Sequence, residues 1–189
     1  MTGIASPSAF VSALLPDIIL ATGTVLLLLV AVAVPQQTVL GRAEGAERTP
    51  LLTRLALGLT LVVGAAVVMQ WMNDVAGTTD QRIAGDGFRW AIDLIVITGT
   101  AFTLMLIDAE HKKSHAFGPE IPILLLLSLS GMMLLAAARD LMLVFLGVEL
   151  MSLAVYVLAA VNRRSGRGAE AALKYFLLGA FSTGFMLYG

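Results

Sequence analysis

DLMLVFLGVELMSLAVYVLAA, Asp140 to Ala160, is an apolar run long enough to cross a bilayer, and it carries one carboxylate, Glu149, near its middle. An ion inside hydrocarbon is expensive, so an ionisable residue within a span marks a functional site by default. Residues three, four and seven apart share a helical face, and around Glu149 that face holds Phe145, Ser152 and Tyr156. The polar stripe Glu149, Ser152, Tyr156 is expected to face other protein or internal water rather than lipid. At a rise of 1.5 Å per residue Glu149 lies about 12 Å from the Asp140 end, too deep for its short side chain to reach the headgroups. A carboxyl so placed can take up and release a proton as a charged neighbour moves. The plain alternative is a neutral Glu hydrogen-bonded to an adjacent helix.

Working outward, the next span carries the natural cation. Asn162 to Gly168 is a basic turn, and an apolar helix begins near Ala171 with Lys174 about one turn inside it. The short turn makes this helix a spatial neighbour of the one bearing Glu149. Lys174 is therefore the second candidate site residue. Two plainer roles compete: snorkelling to the headgroups, and pairing with Glu170 at i,i+4.

The rest of the chain has the same character. Of 189 residues 58% are hydrophobic and 13% charged, and the mean hydropathy is +0.90. A globule of this size needs a charged exterior, so lipid must be the solvent for much of the surface. The reading is all-α: a polytopic transmembrane bundle of about six helices forming a single domain over 1–189, with spans near 18–34, 51–70, 90–107, 121–138, 141–161 and 171–189. Arg139 and Asp140 alone separate the fourth and fifth spans, which predicts a tight antiparallel hairpin. Ala31-Val32-Ala33 resembles a cleavage site, but the chain lacks the basic region that precedes one, so the first span is read as retained.

Lys and Arg in the links set orientation. The first, third and fifth links hold Arg42 and Arg48, then Lys112 and Lys113, then Arg163, Arg164 and Arg167. The second holds Arg82 and Arg89, and the fourth Arg139. The odd links are thus expected to be cytoplasmic and the N-terminus outside.

A net charge of −1 makes no case for nucleic acid, and the absence of cysteine excludes disulfides and thiolate-held iron–sulfur clusters. His111 and His115 have the i,i+4 spacing of a metal pair, but no third ligand is evident and Lys112 and Lys113 repel a cation. Asp93 reads as solvated or as an N-terminal dipole partner, and Arg139-Asp140 as a solvated turn. Gly179 with Thr183, and Ala180 with Gly184, are small-residue spacings that permit close helix packing. No phosphate loop, zinc motif or nucleophile–base set is present.

The segments LGVELMSLAVYVL and EAALKYFLLGAFSTGFMLYG, joined by the basic turn, resemble the subunit N family of bacterial NADH:quinone oxidoreductase (complex I), whose members are antiporter-like membrane subunits. The opening LLPDIILATGTVLLLLV resembles the start of the same family. The resemblance implies a proton-translocating membrane-arm subunit in the bacterial inner membrane, with other membrane-arm subunits and the bilayer as partners. It places Glu149 and Lys174 on the proton path. It puts NADH oxidation, FMN, the iron–sulfur clusters and the quinone site in partner subunits, leaving this chain without cofactor or metal. It also implies fourteen helices, with further lysines on the seventh, eighth and twelfth. These positions are absent here, so a complete proton channel is not expected from this stretch alone. Two other readings stand beside this one: a subunit of a related cation/proton antiporter or membrane-bound hydrogenase, and a non-catalytic packing subunit.

Overall fold

The computed structural model describes residues 11–33, 45–73, 83–114, 118–161 and 166–188, with the side chains of 45–49 and 111–114 left aside. Among the described residues six helices are long and apolar enough to cross a membrane. They are α1 (Leu15–Ala33), α2 (Gly45–Met72), α3 (Gly87–Ser114), α4 (Glu120–Ala137), α5 (Leu141–Ala159) and α6 (Gly166–Tyr188). The expected all-α polytopic bundle is the observed architecture. Helix is the natural outcome for such runs, because it satisfies every backbone polar group within the segment.

Three helices extend beyond their apolar runs. α2 starts ahead of Pro50, α3 ahead of Trp90, and α6 ahead of Ala171. Hydropathy marks where the solvent changes, whereas backbone hydrogen bonding continues through polar residues until a breaker intervenes. Arg89, assigned from sequence to the second link, is consequently helical, and Arg167 and Glu170 lie in the first turns of α6.

α2 and α3 pack as antiparallel neighbours through matched seams. The buried positions on α2 include Ala56, Thr60, Val63, Val67 and Gln70, and those on α3 are Arg89, Trp90, Asp93, Ile97, Thr100 and Leu104. Both alternate steps of three and four, the spacing that keeps one stripe facing a partner. α1 joins this pair through Leu20 and Thr24, and its Gly23 lets Leu59 approach so closely that a Cβ there would lie 2.5 Å from that side chain. The buried Thr24, Thr60 and Thr100 turn their hydroxyls onto their own helix, as Thr24 does to the Leu20 carbonyl at 2.7 Å, so these hydroxyls are satisfied within the helix.

α4 lies at the centre, contributing Leu126, Leu129 and Met133 to the core. Its pairing with α5 is the most extensive in the bundle. The cause is two glycines. A Cβ on Gly131 would sit 2.5 Å from the Met151 backbone nitrogen, and one on Gly147 would sit 3.0 Å from the Leu135 nitrogen. The two backbones therefore touch, as small-residue crossings in membranes allow.

The predicted α4–α5 hairpin is tight. Ala138 is extended, and Asp140 caps α5 by accepting from the Met142 N–H at 3.3 Å. This turn is also tied to the chain preceding α3. The Ala84 N–H donates to the Ala137 carbonyl at 2.8 Å, and Arg139 Nη2 lies 3.7 Å from Asp86. Arg139 and Asp140 are both exposed, as the reading of a solvated turn expected, and Arg139 is ion-paired as well.

Candidate functional site

Glu149 is the ninth residue of α5, about 12 Å from the helix start. α5 buries Gly147 and Ala154 against α4, while Leu146, Leu153 and Val157 are exposed. Between these faces runs the stripe Phe145, Glu149, Ser152, Tyr156, half-buried throughout. α6 covers its lower end. The Tyr156 ring meets Phe176 edge-on at 5.9 Å and Tyr175 at 6.3 Å, and its hydroxyl lies directly over Gly179. A cleft of about 460 Å³ opens here between the two helices, lined by Met151, Ser152, Val155, Tyr156, Tyr175, Leu178 and Gly179.

Lys174 takes a different partner. Its Nζ lies 2.5 Å from Glu170 Oε1, the i,i+4 pairing that the spacing allowed, and both side chains are mostly exposed. The antiparallel packing explains why Glu149 and Lys174 stand apart. Glu149 is seven residues, about 10 Å, from Tyr156 along α5. The α6 residues at its depth follow Gly179, whereas Lys174 precedes it. α5 and α6 are neighbours as expected, but they do not bring the two candidate residues together. Among the described residues Glu149 makes no ion pair.

A second ionic group was not assembled from the sequence. Arg89, on the first turn of α3, is fully buried. Its Nη2 lies 2.5 Å from Asp17 Oδ2 on α1, and its Nε lies 3.4 Å from Asp93 Oδ2 one turn on. Its Nη1 donates to the Ala84 carbonyl at 2.9 Å, and its backbone N–H to Asp86 Oδ1 at 3.0 Å. The guanidinium also stacks over Trp90, 4.6 Å from the ring centroid. Asp93 is wholly enclosed, which corrects its reading as a solvated residue. The signal was available: Arg89 and Asp93 are an i,i+4 pair, and Asp17 opens another odd-numbered helix, hence lies at the same end of the bundle.

Among the described residues no group of three His, Cys, Asp or Glu side chains could hold a metal. The His111 and His115 side chains lie outside the described residues, as do the link cations Arg42, Arg48, Arg82, Lys112, Lys113, Arg163 and Arg164.

The class of protein comes first. Residues 138–189, which contain both Glu149 and Lys174, match the family described as NADH:quinone oxidoreductase/Mrp antiporter, transmembrane. Together with six apolar helices this makes the chain a polytopic membrane protein, one segment of which is similar to that family. More particularly, it is similar along nearly its whole length to NADH-quinone oxidoreductase subunit N of several bacteria. It is 64% identical over 184 residues to that of Gemmatimonas aurantiaca, covering 97% of this chain and 35% of the relative. With the subunit N of Trichlorobacter lovleyi it shares 38% identity over 93% of this chain and 34% of the relative. For subunit N 1 of Rhizobium meliloti the identity is 36%, with the same coverage of 93% and 34%. The chain thus spans about a third of the length of these relatives.

Proposed function

We propose that this chain forms the N-terminal part of a proton-translocating subunit N in a bacterial NADH:quinone oxidoreductase. The observation that carries the reading is the homology, which runs through 184 residues at 64% identity. The geometry of α5 supports it: a carboxylate lies about 12 Å inside a membrane helix, half-buried and without an ion-pair partner among the described residues. The chain sits in the inner membrane with its N-terminus outside and contacts other membrane-arm subunits. Electron transfer from NADH to quinone takes place in partner subunits, which hold FMN and the iron–sulfur clusters. This chain supplies no redox group, and its part of the reaction is the movement of protons.

In this reading Glu149 and Lys174 are stations at different depths on one proton path. Glu149 changes protonation in mid-helix, and Lys174, held by Glu170, sets the charge nearer the start of α6. The test uses the assembled complex in sealed vesicles. Glu149→Gln is expected to assemble and to retain electron transfer, with the protons moved per NADH oxidised falling below wild type. Lys174→Ala is expected to lower quinone-linked turnover. Normal stoichiometry in an assembled Glu149→Gln complex removes Glu149 from the path, and unchanged turnover in Lys174→Ala reduces that residue to an anchor. Should neither substitution have any effect, the chain is a packing subunit.

The matched family also embraces Mrp antiporters, which favours one further reading, a subunit of a cation/proton antiporter or a related hydrogenase. Sodium-dependent proton exchange without NADH:quinone activity identifies that case.

A further inference from the structure

The buried ionic group between α1 and α3 has no part in the proton path just described. Two carboxylates, Asp17 and Asp93, face one guanidinium, Arg89. Fully ionised, the three carry one uncompensated negative charge. Arg89 and Asp93 have no exposed side-chain surface, so water does not screen that charge. The hydrogen bonding is incomplete in the same place. Both Asp93 oxygens, Asp17 Oδ1, Arg89 Nε and Trp90 Nε1 are buried without a hydrogen-bond partner. Buried polar atoms are nearly always satisfied, so a cluster with this many open positions favours a state in which one of its own groups becomes a donor.

Among the described residues the neighbouring elements offer no second cation to balance the charge. Arg139 is spent on Asp86, which itself accepts from the Arg89 backbone. At this end of the bundle the described parts of α2 and α4 bring only neutral side chains, Gln70 among them, which donates to the Ser12 carbonyl. The smallest species that both neutralises the cluster and fills an open hydrogen-bonding position is a proton on a carboxyl.

We propose that the Asp17–Arg89–Asp93 cluster is a proton-exchange site, in which Asp93 binds and releases one proton and Asp17 connects it to water. Only the O–H bond is made and broken. Asp93–COOH gives Asp93–COO⁻ and a proton, which passes to an Asp17 oxygen and then to bulk water, while Arg89 keeps its charge throughout. Asp17 is the port because its side chain is 16% exposed, whereas that of Asp93 is 0% exposed. The proposal does not depend on the role of Glu149 or on which complex contains the chain.

Infrared difference spectroscopy of the full-length protein in its native membrane assembly tests it, using pH steps in H₂O and in D₂O. The wild type is expected to show a protonated-carboxyl C=O band that shifts in D₂O, and Asp93→Asn to lose it. Asp17→Asn is expected to keep the band and to slow its hydrogen–deuterium exchange several-fold. A merely structural ion cluster gives the opposite result: wild-type and Asp93→Asn spectra that superimpose in the carboxyl region at every pH overturn the proposal. Should Asp93→Asn not accumulate in membranes, Asp93→Glu serves instead. Its band is expected at a displaced frequency, and an unchanged spectrum overturns the proposal equally.

Discussion

Arg89 shows how one side chain can organise the end of a membrane bundle. It joins α1 to α3 through Asp17, fixes the chain before α3 through the Ala84 carbonyl, and covers Trp90. Replacing a whole buried ion group by apolar residues is often tolerated, but removing one member strands the others. Arg89→Leu leaves two carboxylates facing each other in a closed site. The expected cost is about 3–5 kcal/mol, the usual penalty for breaking a buried pair. Arg89→Lys is expected to fall between Leu and wild type, because one ammonium cannot span Asp17, Asp93 and a carbonyl in the planar way a guanidinium does. Thermal unfolding in detergent, followed by helix content, measures the order of the three proteins. Equal midpoints for wild type and Arg89→Leu remove the arginine from any structural role.

Helix packing here depends on the residues that lack side chains. Gly131 and Gly147 bring α4 and α5 into backbone contact, and the atoms a Cβ would meet are backbone atoms that cannot rotate away. Gly147→Val is expected to force the helices apart and destabilise by at least about 1–3 kcal/mol, the usual range for overpacking. Gly99→Ala is the matched control, since nothing lies within 4 Å of a Cβ at that site. Measured side by side for membrane abundance and unfolding midpoint, the first is expected to fall and the second to stay near wild type. The number and order of the helices were legible from apolar runs alone, because chain length against bilayer thickness decides them. Which face of each helix packs was not. Leucine and valine surround these helices on all sides, so hydropathy cannot separate core from lipid. The informative residues were the rare ones, Gly131, Gly147, Arg89 and Asp93. Read as interruptions in the greasy pattern, they mark the contacts. Glu149 stood out because it is a lone acid in its span, whereas Arg89 was lost by lying next to a polar link.

For the molecule as a whole, the ionic cluster bears on the proposed orientation. The proposed orientation rests on cations left free in the links, and the even-numbered links held Arg82, Arg89 and Arg139 by sequence. Arg89 proves to be buried among carboxylates, and Arg139 is paired with Asp86. Arg89 therefore drops out of the second link, while the exposed Arg139 still counts beside Arg82. By sequence the odd-numbered links and their flanks hold Arg42, Arg48, Lys112, Lys113, Arg163, Arg164 and Arg167, against Arg82 and Arg139 in the even-numbered ones once the buried Arg89 is set aside, which agrees with the proposed cytoplasmic fifth link. The chain has no cysteine, so single introduced thiols report sidedness without background. Thr79→Cys, in the second link, is expected to react with a membrane-impermeant maleimide in intact cells. Ser165→Cys, in the fifth, is expected to react only after the membrane is opened. The reverse pattern inverts the topology and moves the Asp17–Arg89–Asp93 cluster to the cytoplasmic end. Any proton exchanged there would then come from the cell interior rather than from outside.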